Sequence, residues 1–164
     1  MKKTILILAF LVGLSVITAP PLDASTSINS FNALYLYMYK GQAQSYVGYP
    51  DSVEYNNNYR RNLDFYATPD GYDVYRMFIG YMANGQIGVL GNIYRPGRTT
   101  LMALANQLRA KGLTQIASDG RSFLFQGNDL RTGRLMYAIV EDWTSSGMGP
   151  VLTLLTEEVY RQVM

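Results

Sequence analysis

One segment limits the fold more than any other. Between Thr99 and Gly112, Leu101, Leu104, Ala105 and Leu108 fall at i, i+3, i+4 and i+7, the spacing of an amphipathic helix. Pro96-Gly97 breaks the chain before it, and Thr99 is placed to cap its free N–H groups. Arg109 and Lys111 oppose the negative end of its dipole, and Gly112 supplies a left-handed stop. Strand-patterned runs flank this helix on both sides. Asn62–Thr68, Tyr72–Ala83 and Gln86–Tyr94 precede it, separated by Pro69-Asp70-Gly71 and Asn84-Gly85. Asn-Gly suits a type I′ hairpin and predicts an antiparallel meander. Ser122–Gln126, Arg134–Trp143 and Val151–Tyr160 follow, parted by Gly127-Asn128-Asp129 and a Ser/Gly loop. Runs of strands after each helix predict an α+β fold: an antiparallel sheet with helices packed on one face.

The segment Asn32–Lys40 is ambiguous. Leu34, Leu36 and Met38 alternate with tyrosines at the strand period, whereas Phe31, Leu34 and Met38 fit one helical face. A shift of 71 residues aligns Lys40-Gly41 with Lys111-Gly112 and Tyr66-Ala67 with Tyr137-Ala138, giving seven identities between residues 40 and 67. That suggests tandem helix-plus-strands repeats over 31–94 and 99–164, and it tips Asn32–Lys40 towards helix.

The N-terminus carries Lys2 and Lys3, then an uncharged, mostly apolar run from Thr4 to Ile17, then Pro20-Pro21 and small Ala24 before Ser25. This order is that of a signal peptide over residues 1–24, with 25–164 as the mature domain. The run is shorter than the roughly 20 apolar residues that span a bilayer. No cysteine follows it to carry a lipid, so the expectation is a secreted or periplasmic product without a stable membrane anchor. Removing Lys2, Lys3 and Asp23 leaves 12 basic and 11 acidic residues. A nearly neutral, exported chain lacks the basic footprint of a nucleic-acid binder. With no cysteine, disulfides are impossible, and stability has to come from packing and the sheet.

Histidine is absent too, which excludes Ser-His-Asp and Cys-His catalysis, standard zinc sites and redox dithiols. The sequence suggests no catalytic residue, metal ligand or cofactor. Paired carboxylates remain as an alternative, through some combination of Asp64, Asp73, Glu141 and Asp142, if two of them meet across a glycan bond. Adjacent carboxylates on a strand, such as Glu141-Asp142 and Glu157-Glu158, point to opposite faces and do not converge by themselves. Asp70 to Asp73 and Asn128-Asp129 read as turn chemistry, and Gly147 to Gly149 as a hairpin loop.

The outstanding compositional feature is 14 tyrosines, 12 of them at or before Tyr94. Tyrosine offers a large, fairly rigid apolar area with a hydroxyl, which suits binding surfaces. Tyr46, Tyr49, Tyr55 and Tyr59, with the single tryptophan Trp143, are the candidate binding residues. A protein is the first expected partner and a glycan the second. A structural envelope component that holds its neighbours by sheet edges is a further reading.

The stretch Gln42-Ala43-Gln44-Ser45-Tyr46-Val47-Gly48-Tyr49-Pro50-Asp51, with strands after it, resembles the helix-to-Gly-x-Pro junction of the outer-membrane assembly lipoprotein and β-lactamase-inhibitor group of small envelope proteins. The tandem layout is similar to that of the duplicated inhibitor. The chain departs from both branches, having neither the N-terminal cysteine of the lipoproteins nor the disulfides usual in the inhibitors. The resemblance implies a binding role on a concave sheet.

Overall fold

The computed structural model describes residues 33–164. The expected leader, its cleavage point and the polar stretch 25–30 lie outside the described residues. Eleven regular elements follow in the order α1 (Lys40–Val47), β1 (Ser52–Asn56), β2 (Arg61–Ala67), β3 (Val74–Tyr81), β4 (Ile87–Tyr94), α2 (Leu101–Ala110), β5 (Thr114–Ser118), β6 (Ser122–Asn128), β7 (Leu135–Glu141), β8 (Val151–Thr156) and α3 (Glu157–Val163), with a short 3₁₀ turn at Thr144–Ser146. The strands form one eight-stranded antiparallel sheet in the order β1-β2-β3-β4-β8-β7-β6-β5. The class is α+β, with the sheet dominant.

Two neighbouring rows of cross-strand partners define the faces. One row runs Asp64–Ile79–Leu90–Leu154–Ala138–Phe125, and the next runs Phe65–Phe78–Gly91–Thr153–Ile139–Leu124. Successive residues of a strand point to opposite sides, so these rows belong to opposite faces. All twelve positions are buried, hence the sheet is covered on both sides. In the second row the Phe78 ring lies directly over Gly91, where an added Cβ would sit 1.6 Å from a ring carbon. Only glycine leaves room for that ring at the centre of the sheet.

The helices divide between the faces, which corrects the expectation of helices on one side. Lys40, the first residue of α1, reaches Asp64 in the first row. The guanidinium of Arg109 in α2 lies 5.7 Å from the Phe125 ring of the same row. The third helix sits on the other face, where Tyr160 stacks on Tyr137, the neighbour of Ala138 in β7. The reason is local: β8 stops at Thr156, whose side chain accepts from the Val159 N–H, and Glu157-Glu158 place negative charge in the first helical turn. The predicted strand Val151–Tyr160 is therefore half strand and half helix.

Other boundaries shift for similar reasons. Residues 33–39 form an irregular strap with a turn at Leu36-Tyr37 instead of a helix: Leu34, Leu36 and Met38 are buried while the tyrosines beside them are not. Tyr37 takes a left-handed φ of 71°, which a right-handed helix cannot include, and its N–H donates to the Ile87 carbonyl at 2.8 Å. Thr100, one residue beyond the expected cap, caps α2 by accepting from Ala103 N–H. The Asn84-Gly85 hairpin forms, but not as type I′. Gly85 alone has a positive φ, its N–H donates to the Met82 carbonyl, and a bulge shifts the register between Gly80 and Tyr81. This is the three-residue loop with a left-handed glycine at its end.

Each half runs helix, then four strands. A shift of 61 positions places Lys40 on Leu101, Arg61 on Ser122 and Val74 on Leu135. The strand order reads the same from both ends when each strand is exchanged for its counterpart, with β4 and β8 paired at the centre. The 71-residue shift instead sets the start of α1 against Lys111, past the end of α2. Its identities do not follow the elements.

Candidate functional site

Three of the exposed tyrosines lie on α1, on β1 and in the loop that joins them. Tyr46 on α1 is 46% exposed, Tyr49 in the following loop 86% and Tyr55 on β1 63%. Val53, two residues before Tyr55 and so on the same face of β1, is also more than half exposed. Both residues lie on the face that carries α1, since Val53 pairs with Asp64 and Tyr55 with Asn62. The chain turns from α1 into β1 through Gly48-Tyr49-Pro50; the Gly48 N–H closes the helix on the Gln44 carbonyl, and proline prevents its continuation. That junction sets Tyr49 at the rim.

β1 is an edge strand. Its five residues pair with β2 in unbroken register, and its outer side has no strand neighbour among the described residues. The opposite edge, β5, is interrupted by a bulge at Ile116, a feature that blunts pairing. On the other face of β1, Glu54 accepts from Arg76 at 2.7 Å and from Ser52 at 3.0 Å. The Arg76 hydrogen bond holds the Glu54 carboxyl below its usual range. The Arg76 guanidinium lies 4.1 Å over the Phe65 ring, which fixes its position.

Beneath α1 a polar cluster ties the helix to the sheet. Asp64 is buried, and the Lys40 ammonium stands 3.2 Å from it and 4.7 Å over the Tyr81 ring. Tyr66 and Tyr81 lie on the same face of the sheet as Asp64. Burial, with neighbouring negative charge, pushes both phenols well above their ordinary range. These groups are therefore neutral at physiological pH, and the one buried carboxylate of the cluster has one ammonium. The cluster anchors α1, the element that carries Tyr46.

The structure separates the other candidates from this surface. Tyr59 is 1% exposed and belongs to the core, so it offers nothing to a partner. The Asn56 side chain accepts from the N–H groups of Asn58 and Tyr59, forming the β1–β2 turn that tucks the ring inside. Trp143 lies in the loop between β7 and β8, in the other half of the sheet, partly buried against the core. Tyr39 and Tyr75 are exposed as well, outside the four candidate tyrosines. Only their position in the fold distinguishes them from buried tyrosines such as Tyr66.

The carboxylates of the hydrolytic alternative do not meet. Asp64 in β2 and Glu141 in β7 lie on opposite faces, four strand steps apart, roughly 19 Å at the usual strand spacing. Asp142 accepts from the Thr144 N–H at 2.9 Å, and hydrogen bonds from Thr144 hold its pKa low. Asp73 is exposed just before β3. Asp129 accepts from the N–H groups of Arg131 and Thr132 and shapes the β6–β7 turn. Among the described residues no group of three or more carboxylates could hold a metal ion. A small, mostly apolar hollow beside the C-terminal end of α2 is lined by Leu108, Leu113, Leu130, Met136 and Leu154, together with Lys111, Asn128 and Asp129. The chain matches no protein-family model, no curated protein and no solved structure.

Proposed function

We propose that this chain is an exported binding module whose working surface is the free β1 edge with Tyr46, Tyr49, Val53 and Tyr55, and whose partner is a protein. The observation that carries the reading is the exposure of these four apolar side chains around a regular edge strand whose outer side has no strand neighbour among the described residues. Exposed apolar groups near an open edge are costly to keep unless something covers them. Aromatic side chains held on a packed scaffold bind with little loss of conformational freedom. The leader-like N-terminus supports export. The recurring order of one helix and four strands, palindromic about the β4–β8 pair, supports a tandem duplication.

The test is capture on the immobilised chain from envelope and culture-supernatant extracts, with the Tyr46→Ala/Tyr49→Ala/Tyr55→Ala variant beside it. The reading expects a protein that the parent retains and the variant releases, while both unfold at the same denaturant concentration. A ligand held equally by both places binding elsewhere. Self-association through β1, detected by sedimentation and abolished by a proline in β1, would favour a structural role.

A further inference from the structure

Tyr137 on β7 and Tyr160 on α3 stack with ring centroids 3.7 Å apart and planes inclined by 9°. Both rings are half-buried, so each keeps solvent access. Phe65–Phe78 and Phe123–Phe125 also pair, but tilted, and phenylalanine has no phenolic hydrogen to lose. We propose that Tyr137 and Tyr160 form an oxidative cross-linking site, which one-electron oxidants of the peroxidase and peroxide class convert to an intramolecular dityrosine.

Each phenol gives up one electron and one proton, leaving a phenoxyl radical with spin density on its ortho carbons. The two ortho carbons join in a new C–C bond, and each ring hydrogen at the junction moves to its oxygen to restore the aromatic phenol. The net loss is two hydrogen atoms from the protein, and their two electrons and two protons reduce one hydrogen peroxide to two waters. Coupling of free phenols requires an encounter. A face-to-face pair supplies it in advance, so coupling inside one molecule outruns coupling between molecules. The bond would tie α3 to β7 across β8, a covalent closure in a chain that has no cysteine to make one.

The full chain at low concentration, treated with peroxidase and hydrogen peroxide, tests this. Dityrosine fluorescence and digest mass spectra are the readouts, because methionine oxidation confuses the intact mass. The expected product is a cross-linked peptide pair containing Tyr137 and Tyr160, from a monomeric chain, short of two hydrogens. Tyr160→Phe keeps the stacked ring and the fold, and it should abolish that product. The proposal is overturned if the Tyr137–Tyr160 peptide pair is absent, if links form only between molecules through exposed tyrosines such as Tyr49, or if the dityrosine signal persists undiminished in Tyr160→Phe.

Discussion

Tyr49 and Tyr59 lie ten positions apart in one tyrosine-rich stretch, yet one projects into solvent and the other fills the core. Tyr59→Ala should destabilise the fold by about 3–5 kcal/mol, the usual cost of deleting a buried aromatic ring. Tyr49→Ala should stay within roughly 0.5 kcal/mol, as exposed substitutions do. Denaturant midpoints of the two variants check both figures, and equal midpoints would refute the assignment. The sequence displays the tyrosine excess but not this division, because the backbone N–H of Tyr59 donates to the side chain of Asn56, a residue that reads only as a turn former, and that turn tucks the ring inward. Buried phenols also set the alkaline limit. Burial pushes Tyr94 from 10.0 up to about 12, and Tyr66 and Tyr81 move in the same direction. A folded pKa above the unfolded one means stabilisation that is fully present below pH 10.0 and lost as pH rises towards 12. Phenolate absorbance should therefore appear together with loss of circular dichroism above pH 10, and Tyr94→Phe should move that transition upward. Gradual ionisation of Tyr94 in an intact fold would contradict this.

Among the elements, those with strong periodicity were legible and those at the margins were not. The α2 helix and five of the central strands lie close to where apolar spacing and turn residues place them. β1 and β5 escaped because each is only five residues long and mostly exposed; Val53 and Tyr55 do alternate with polar neighbours in β1, but two apolar residues are too few to mark a strand. α1 escaped because only Ala43 and Val47 of its eight residues are buried. The α3 helix did carry a signal: Thr156 followed by Glu157-Glu158 is a capping pattern, but it directly continues an apolar strand and was absorbed into it. The cap predicts its own test. Thr156→Ala should cost about 1–2 kcal/mol, and hydrogen exchange should quicken first in α3, before the central strands. Uniform quickening across the sheet would show that Thr156 acts through packing in β8 instead.

At the scale of the whole molecule, the two halves join their sheets through a single pair of strands, β4 and β8, with α3 against β4 and the Arg61–Gln162 and Arg131–Ala33 hydrogen bonds crossing beside it. Every residue of β4 is fully buried apart from Tyr94, which is partly buried against the core, and all of β8 is buried. Separated halves would each expose an apolar edge strand, so neither 33–98 nor 99–164 should persist as a folded monomer. Mixed together, they should assemble one to one and recover the sheet signal, which sedimentation and circular dichroism will show. A half that folds alone and stays monomeric would refute this. The strand order that makes the halves equivalent in space makes them unequal in time. A chain is made from its N-terminus, and β4 exists long before β8 does. Of the eight strands described, the last to be made belongs at the middle of the sheet. Until it arrives, the most apolar strand of the first half has an open side, and losing the final residues would remove the centre of the sheet while leaving both of its edges in place.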